Sequence, residues 1–327
     1  MEDLIRAFPS HLQHAIRIAN EYEFQVKLNA CKNVFVFGMG GSGIGAQIVK
    51  NFADQAIPVP FAVVSGYEVP LSVTSESLAI FSSYSGDTEE VLTCLKEVQS
   101  LGCPIVCITS GGQLQQVAKK KGYDCIIVPA GMPPRAALAY SIVQIMATLD
   151  HFRLVEREHW QVEFTQVIEV LVTNKDDMHE YGMKLAVKIK NKIPVIYSGE
   201  TLSAVATRFR QQLNENAKVL AWERIVPEMN HNELVGWTDG GERFIAIFLE
   251  SSFDHPQVKK RFAFMKREAK RQGFSVLELS VSTGTYWWHV LYFIHVLDWF
   301  SFYLARFNDV DPMPVKIIGR LKKYLAK

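Results

Sequence analysis

The sequence predicts an α/β protein, two doubly wound parallel sheets in tandem, and three observations carry the prediction. Short apolar runs alternate with helix-length segments through the first half, a glycine-dense turn follows the first of those runs, and the same order of strand, turn and helix restarts after Ile193-Pro194. The runs 34 to 38, Phe61 to Ser65, Leu78 to Ser82, Pro104 to Thr109 and Cys125 to Val128 are apolar on both faces, as strands covered on both sides are. From Ser141 to about Asn191 strand signal is weak and Gly/Pro punctuation sparse, so long helices belong there. Val195 to Gly199, Phe244 to Leu249 and Val276 to Leu279 are the strands of the second unit. Its opening, VIYSGETLSAVATRFRQQL, mirrors VFVFGMGGSGIGAQIVKNF of the first but has lost most of the glycines. Only the first turn is therefore expected to wrap an anion.

At 327 residues the chain exceeds one usual core, and the expected division is 1–153 and 154–327. It is 48% hydrophobic and 21% charged, a globular composition. Residues 1 to 150 carry 10 Lys/Arg and 13 Asp/Glu and the remainder 25 and 21, giving −3 and +4 and the net +1. Neither half has the basic excess that a nucleic acid or an anionic membrane attracts, so neither partner is expected. The start, MEDLIRAFPS, is acidic where a signal peptide is basic, and no apolar run is read as a membrane span, so a cytoplasmic protein is expected. Five cysteines, odd in number and without framework spacing, read as reduced thiols. Cys103 and Cys107 lie along one strand, about 13 Å apart, too far to share a metal. The segment 286 to 307 is apolar nearly all round and demands burial, in the core or against a second subunit.

Gly38, Gly40 and Gly43 fit the dinucleotide pattern G-x-G-x-x-G, but the second strand ends Val63-Val64-Ser65-Gly66 without the acidic residue that holds a ribose. No Gly-Lys-Ser/Thr follows the glycines either, which excludes a Walker A loop. A second turn, SSYSGDTEEVL, follows the third strand. Its hydroxyls on Ser83, Ser85 and Thr88, with the unpaired N–H groups of a helix start, suit a phosphate monoester. A plain helix cap would use one of these hydroxyls and leave the others unassigned.

G-x-G-G-S-G after the first strand with S-x-S-G-x-T after the third resembles the sugar isomerase (SIS) domain, and NEN at 214 to 216, NHNE at 230 to 233 and PPR at 133 to 135 resemble the bifunctional phosphoglucose/phosphomannose isomerases. The resemblance covers nearly the whole chain. It implies two tandem flavodoxin-like SIS domains, a phosphosugar as the partner molecule, no cofactor and a homodimer. It places Gly40, Gly41 and Ser42 on the sugar side of the site and Ser83, Ser85 and Thr88 on the phosphate.

Exchanging an aldose phosphate with fructose 6-phosphate takes a carboxylate base, a cation beside the enediolate and a group that opens the ring. Glu215 falls off the apolar stripe Leu202, Val205, Ala206, Phe209 and Leu213, on the face of Arg208, Gln211 and Gln212, where spacing alone describes a solvated glutamate. The resemblance of Asn214-Glu215-Asn216-Ala217-Lys218 to N-E-x-A/S-K makes it the base. By the same resemblance His231, in a Pro- and Asn-punctuated loop, opens the ring from the neighbouring subunit, and Arg135 faces the enediolate. A lysine of the last helix completes the set. Lys322 is preferred over Lys316 and Lys323 because Val315 and Ile318 share its face. His11 and His14 read as surface residues without an acidic third ligand, and no metal is expected. A phosphosugar-sensing regulator, or an enzyme of amino or pentose phosphates, would use the same phosphate site. No basic surface helix or helix-turn-helix is read in the sequence, which disfavours the regulator.

Overall fold

The computed structural model describes residues 1–27, 30–189, 191–238 and 241–325, apart from the Glu158 side chain. The chain forms two compact units, residues 7–173 and residues 1–6 with 174–327. A short first helix, α1 (Glu2–Arg6), belongs to the latter, where Ile5 packs on Trp299 and Phe302.

The 7–173 unit runs α2 (Phe8–Glu21), β1 (Asn33–Gly38), α3 (Gly40–Ala56), β2 (Phe61–Val64), β3 (Ser77–Ser82), α4 (Glu89–Val98), β4 (Ile105–Thr109), α5 (Gly112–Lys121), β5 (Asp124–Ile127), α6 (Leu138–His151) and α7 (Arg157–Thr173). Its five strands lie in the order β2-β1-β3-β4-β5, every neighbour parallel. The doubly apolar runs explain this: β3 and β4 are buried at every residue, and the Phe37 and Phe81 rings stack 4.5 Å apart on adjacent strands. Because β1 and β3 are neighbours, the chain leaves them in opposite directions, and the loops after them open a crevice at the carboxyl ends of the strands. At the other edge Asp124 accepts bonds from the Tyr22 hydroxyl at 3.0 Å and the Val26 N–H at 2.8 Å. His11 and His14 are half-buried against the Tyr140 ring rather than on the open surface, because α2 packs on α6.

The other unit continues with α8 (Lys175–Lys188), β6 (Ile193–Ser198), α9 (Ser203–Glu215), β7 (Trp222–Ile225), β8 (Phe244–Ser251), α10 (Pro256–Arg271), β9 (Ser275–Val281), α11 (Tyr286–Phe307) and α12 (Lys316–Leu325). Its sheet has the order β7-β6-β8-β9, again parallel throughout. From Ser141 to Lys188 the chain is helical, broken near Arg153, whose φ is 58°, and again at Asn174, into α6, α7 and α8.

Three expectations need correction. Strand β7, Trp-Glu-Arg-Ile, escapes a search for apolar runs because it is an edge strand with one open face and two charged residues. Helix α11 is, by length and composition, apolar enough to cross a membrane, with a mean hydropathy of 1.2, yet 78% of that apolar stretch is buried within the chain itself. Sixteen of its 22 residues are buried, so it is chiefly a core helix, and only Tyr286, Trp288, Tyr292, Tyr303, Arg306 and Phe307 keep some exposure. Finally, α10 is a basic surface helix, with Lys259, Lys260, Arg261, Lys266, Arg267, Lys270 and Arg271 against Glu268. Much of that charge is spent locally: Lys266 reaches Glu250 and Glu278, Lys270 reaches Glu278, and Arg271 pairs with Glu268.

Candidate active site

In the 7–173 unit the glycines set how closely the backbones approach. A Cβ on Gly41 would lie 2.6 Å from the Pro134 carbonyl oxygen, and one on Gly43 2.6 Å from that of Gly38, so neither position has room for a side chain. Gly40 opens α3 with φ +50°. The clash at Gly41 also reports a placement: the helical turn Pro134–Ala136 lies against the glycine turn, and Arg135, 7% exposed, is carried there. Ser42 is buried beside it, and its Oγ accepts the Tyr84 N–H at 3.1 Å. That bond ties the glycine turn to the serine-rich turn across the β1–β3 crevice.

The serine-rich turn has its own bracing. Ser83 Oγ and Thr88 Oγ1 are 2.7 Å apart, and Ser83 Oγ also accepts the Gly86 N–H at 3.1 Å. Ser85 is exposed and accepts the Asp87 N–H at 3.3 Å. Thr88 holds the cap position of α4 but makes no capping bond, so the plain cap reading does not account for its hydroxyl. The structure thus sets the glycine turn of Gly40, Gly41 and Ser42 beside the serine-rich turn of Ser83, Ser85 and Thr88, with the backbone of Pro134 and Arg135 packed on Gly41. Tyr84, between two of these serines, braces both turns. Its N–H holds Ser42, while its hydroxyl donates to Pro129 O at 2.9 Å and accepts the Met132 N–H at 3.0 Å, which anchors the approach to Arg135. A larger recess of about 670 Å³, lined by Ser75, Glu76, Ile105, Lys121 and Asp124, sits at the opposite ends of the strands, away from both turns.

In the other unit the turn after β6 is filled by the chain's own carboxylate. Asp254, 4% exposed, accepts the Ser251 N–H at 2.7 Å, and a Cβ on Gly199 would lie 2.5 Å from its Oδ1. Burial pushes the Asp254 pKa up.

Glu215 is the last residue of α9 and half-buried. The face assigned to it in the sequence is not solvated at Arg208 and Gln212, which are each 3% exposed. They are buried because Asp298 of α11 receives both, Arg208 through two nitrogens and Gln212 at 2.8 Å. His231 ends the helical turn Glu228–His231 with its side chain exposed. Lys316, Lys322 and Lys323 all stand in solvent on α12, no residue of which is buried, so exposure does not single out Lys322. Lys218 Nζ, by contrast, donates to the Glu215 carbonyl and, at 2.9 Å, to Pro314 O. Among the described residues no group of three or more His, Cys, Asp or Glu is placed to hold a metal ion, and all five cysteines are free thiols.

The SIS domain model matches residues 27–154, and the bacterial phospho-glucose isomerase C-terminal SIS domain matches residues 178–325. A bifunctional phosphoglucose/phosphomannose isomerase of Caldicellulosiruptor bescii is 32% identical, covering 100% of this chain and 99% of that protein. One of Aquifex aeolicus is 33% identical, over 94% and 96% of the two chains. The chain belongs to the bifunctional phosphoglucose/phosphomannose isomerase family. Solved structures agree in fold: a putative phosphosugar isomerase of Clostridium difficile superposes with a TM-score of 0.78 at 13% identity, covering 98% of this chain and 97% of that one. The C-terminal domain of a Francisella tularensis glucosamine-fructose-6-phosphate aminotransferase superposes at 0.76 with 15% identity, covering 95% and 97%. The flavodoxin-like order, with two parallel sheets in one chain, is thus that of the SIS proteins.

Proposed function

We propose that this member of the phosphoglucose/phosphomannose isomerase family interconverts glucose 6-phosphate and mannose 6-phosphate with fructose 6-phosphate, acting as a cytoplasmic homodimer. The observation that supports the reading is the crevice between β1 and β3, where the Ser42–Tyr84 bond joins the glycine turn to a serine-rich turn that carries the exposed hydroxyl of Ser85 and a Thr88 that makes no capping bond. Ser83, Ser85, Thr88 and the N–H groups at the start of α4 hold the phosphate. Gly40, Gly41 and Ser42 face the sugar.

His231 of the neighbouring subunit opens the ring and a lysine of α12, Lys322 first, assists. Glu215 takes the proton beside the carbonyl and returns it to the adjacent carbon, while Arg135 neutralises the enediolate. A guanidinium supplies the positive charge, so the reaction needs no metal ion. The two aldoses differ only at carbon 2, which becomes planar in the enediolate, so one base serves both. The test is to supply fructose 6-phosphate in deuterium oxide and assay each aldose separately. Both products are expected, labelled at carbon 2. Absence of mannose 6-phosphate would leave a single-epimer isomerase, and label-free products would point to direct hydride transfer instead of a base.

A further inference from the structure

Helix α9 and its C-terminal cap carry polar residues at 208, 212 and 216, one above another at successive turns, where a core helix ordinarily carries apolar ones. All three are buried, at 3%, 3% and 0% exposure, and all three meet α11. Arg208 grips both oxygens of Asp298, its Nη2 to Oδ2 at 2.9 Å, while Gln212 Nε2 donates to Oδ1 at 2.8 Å. Asn216 Nδ2 donates to Ser301 Oγ at 2.9 Å, and Ser301 in turn donates to the Asp298 carbonyl at 2.9 Å.

Stability does not call for such a ladder. Withdrawing a carboxylate and a guanidinium from water costs several kcal/mol per ion, and well-packed apolar residues often serve as well or better. What the ladder adds is direction, because a two-pronged guanidinium–carboxylate pair fixes both the rotation and the slide of one helix on another. The thing held is the helix end. Seven residues beyond Arg208, Glu215 returns to within about 20° of it around the helix axis, on the same line as the ladder. Terminal helical residues fray by default. Here Asn214 Nδ2 is bonded to Val219 O at 2.7 Å on one side of Glu215, and Asn216 is pinned to α11 on the other.

We infer that Asp298, with Arg208, Gln212 and Asn216, forms a positioning ladder that holds the Glu215 carboxylate in register for proton transfer. This rests on the reading of Glu215 as the base. The four act on the base, whereas the phosphate is assigned to the serine-rich turn, so the ladder is expected to act on kcat and to leave ground-state binding alone.

The experiment compares the parent with Arg208→Met/Asp298→Leu, which removes both charges and keeps apolar packing, with Asn216→Ala, and with Glu215→Gln as the control. Thermal unfolding is measured alongside kcat and KM for fructose 6-phosphate. The double variant is expected to melt at or above the parent while kcat falls roughly ten- to a hundredfold and KM stays within about twofold. Asn216→Ala is expected to lower kcat in the same pattern. A structural role alone would lower melting temperature and activity together. A dead Glu215→Gln with parent-like kcat in the double variant would overturn the ladder and leave the base intact. An active Glu215→Gln would overturn the base, and the ladder with it.

Discussion

Ser83, Ser85 and Thr88 share one turn, and burial divides their work. Ser83, 2% exposed, spends its oxygen on Thr88 and the Gly86 N–H, which shapes the turn, whereas Ser85 stands in solvent with its proton still to give. Ser85→Ala and Thr88→Ala are therefore each expected to weaken binding of fructose 6-phosphate by about 1.5 to 3 kcal/mol, as hydrogen bonds to a charged group do, and calorimetry measures it. Parent-like affinity in both variants would remove the phosphate from this turn. Glu215→Gln should separate the other way, with calorimetric affinity kept and turnover lost, because an amide accepts no proton at neutral pH. These hydroxyls were legible in the sequence because side-chain type is what sequence displays. Tyr84 was not, since its N–H does the bracing and every residue but proline owns one.

Among the elements, those apolar on both faces were legible, because burial on two sides forbids polar residues along the whole run: β1, β3 and β4 are such runs. Edge strand β7 and the inward face of α9 were not, for one reason in two forms. A charged residue advertises solvent unless a partner distant in sequence receives it, and Arg208 is received by Asp298, 90 residues away. Helix α11 shows a related cost. Its His289 and His295 are buried, and burial lowers both pKa values, that of His295 to about 4 in spite of the nearby Asp298 carboxylate. A histidine that titrates near 4 when folded and near 6.5 when unfolded binds its proton more readily in the unfolded chain. Its contribution to stability is whole above the unfolded value and is lost as pH falls toward the folded one. Between about pH 7 and about pH 5 the unfolding free energy should drop by roughly 2 kcal/mol from His295 alone. Urea titrations at both pH values, run on the parent and on His295→Leu, read that share as the difference between the two slopes. Identical slopes would mean that His295 is already charged in the folded protein.

For the whole molecule the question is what α12 rests on. The apolar segment 286 to 307, expected in the core or against a second subunit, is mostly buried in its own core. The exposed apolar face lies later, where Ile317 is 69% exposed, Leu321 55% and Tyr324 74%, on a helix without one buried residue. A strongly amphipathic helix left in water is unstable alone, and a second copy of the chain is the occupant that the homodimer reading supplies. That reading also gives an exposed His231 and an exposed Lys322 something to face, since a residue contributed to a neighbour's site appears idle in its own chain. The consequence is measurable without a complex structure. Glu215→Gln has an intact His231 to lend, and His231→Ala has an intact Glu215 to receive it. Each homodimer is inactive, but a heterodimer contains one site with both groups in place. Mixing the two variants at equal concentration, with subunit exchange followed by a fluorescent label on one of them, is expected to restore activity as exchange proceeds. A random mixture is half heterodimer with one good site in two, so the plateau should approach roughly a quarter of the parent rate. Proven exchange without recovery would return His231 to its own subunit's site and leave the face of α12 without this partner.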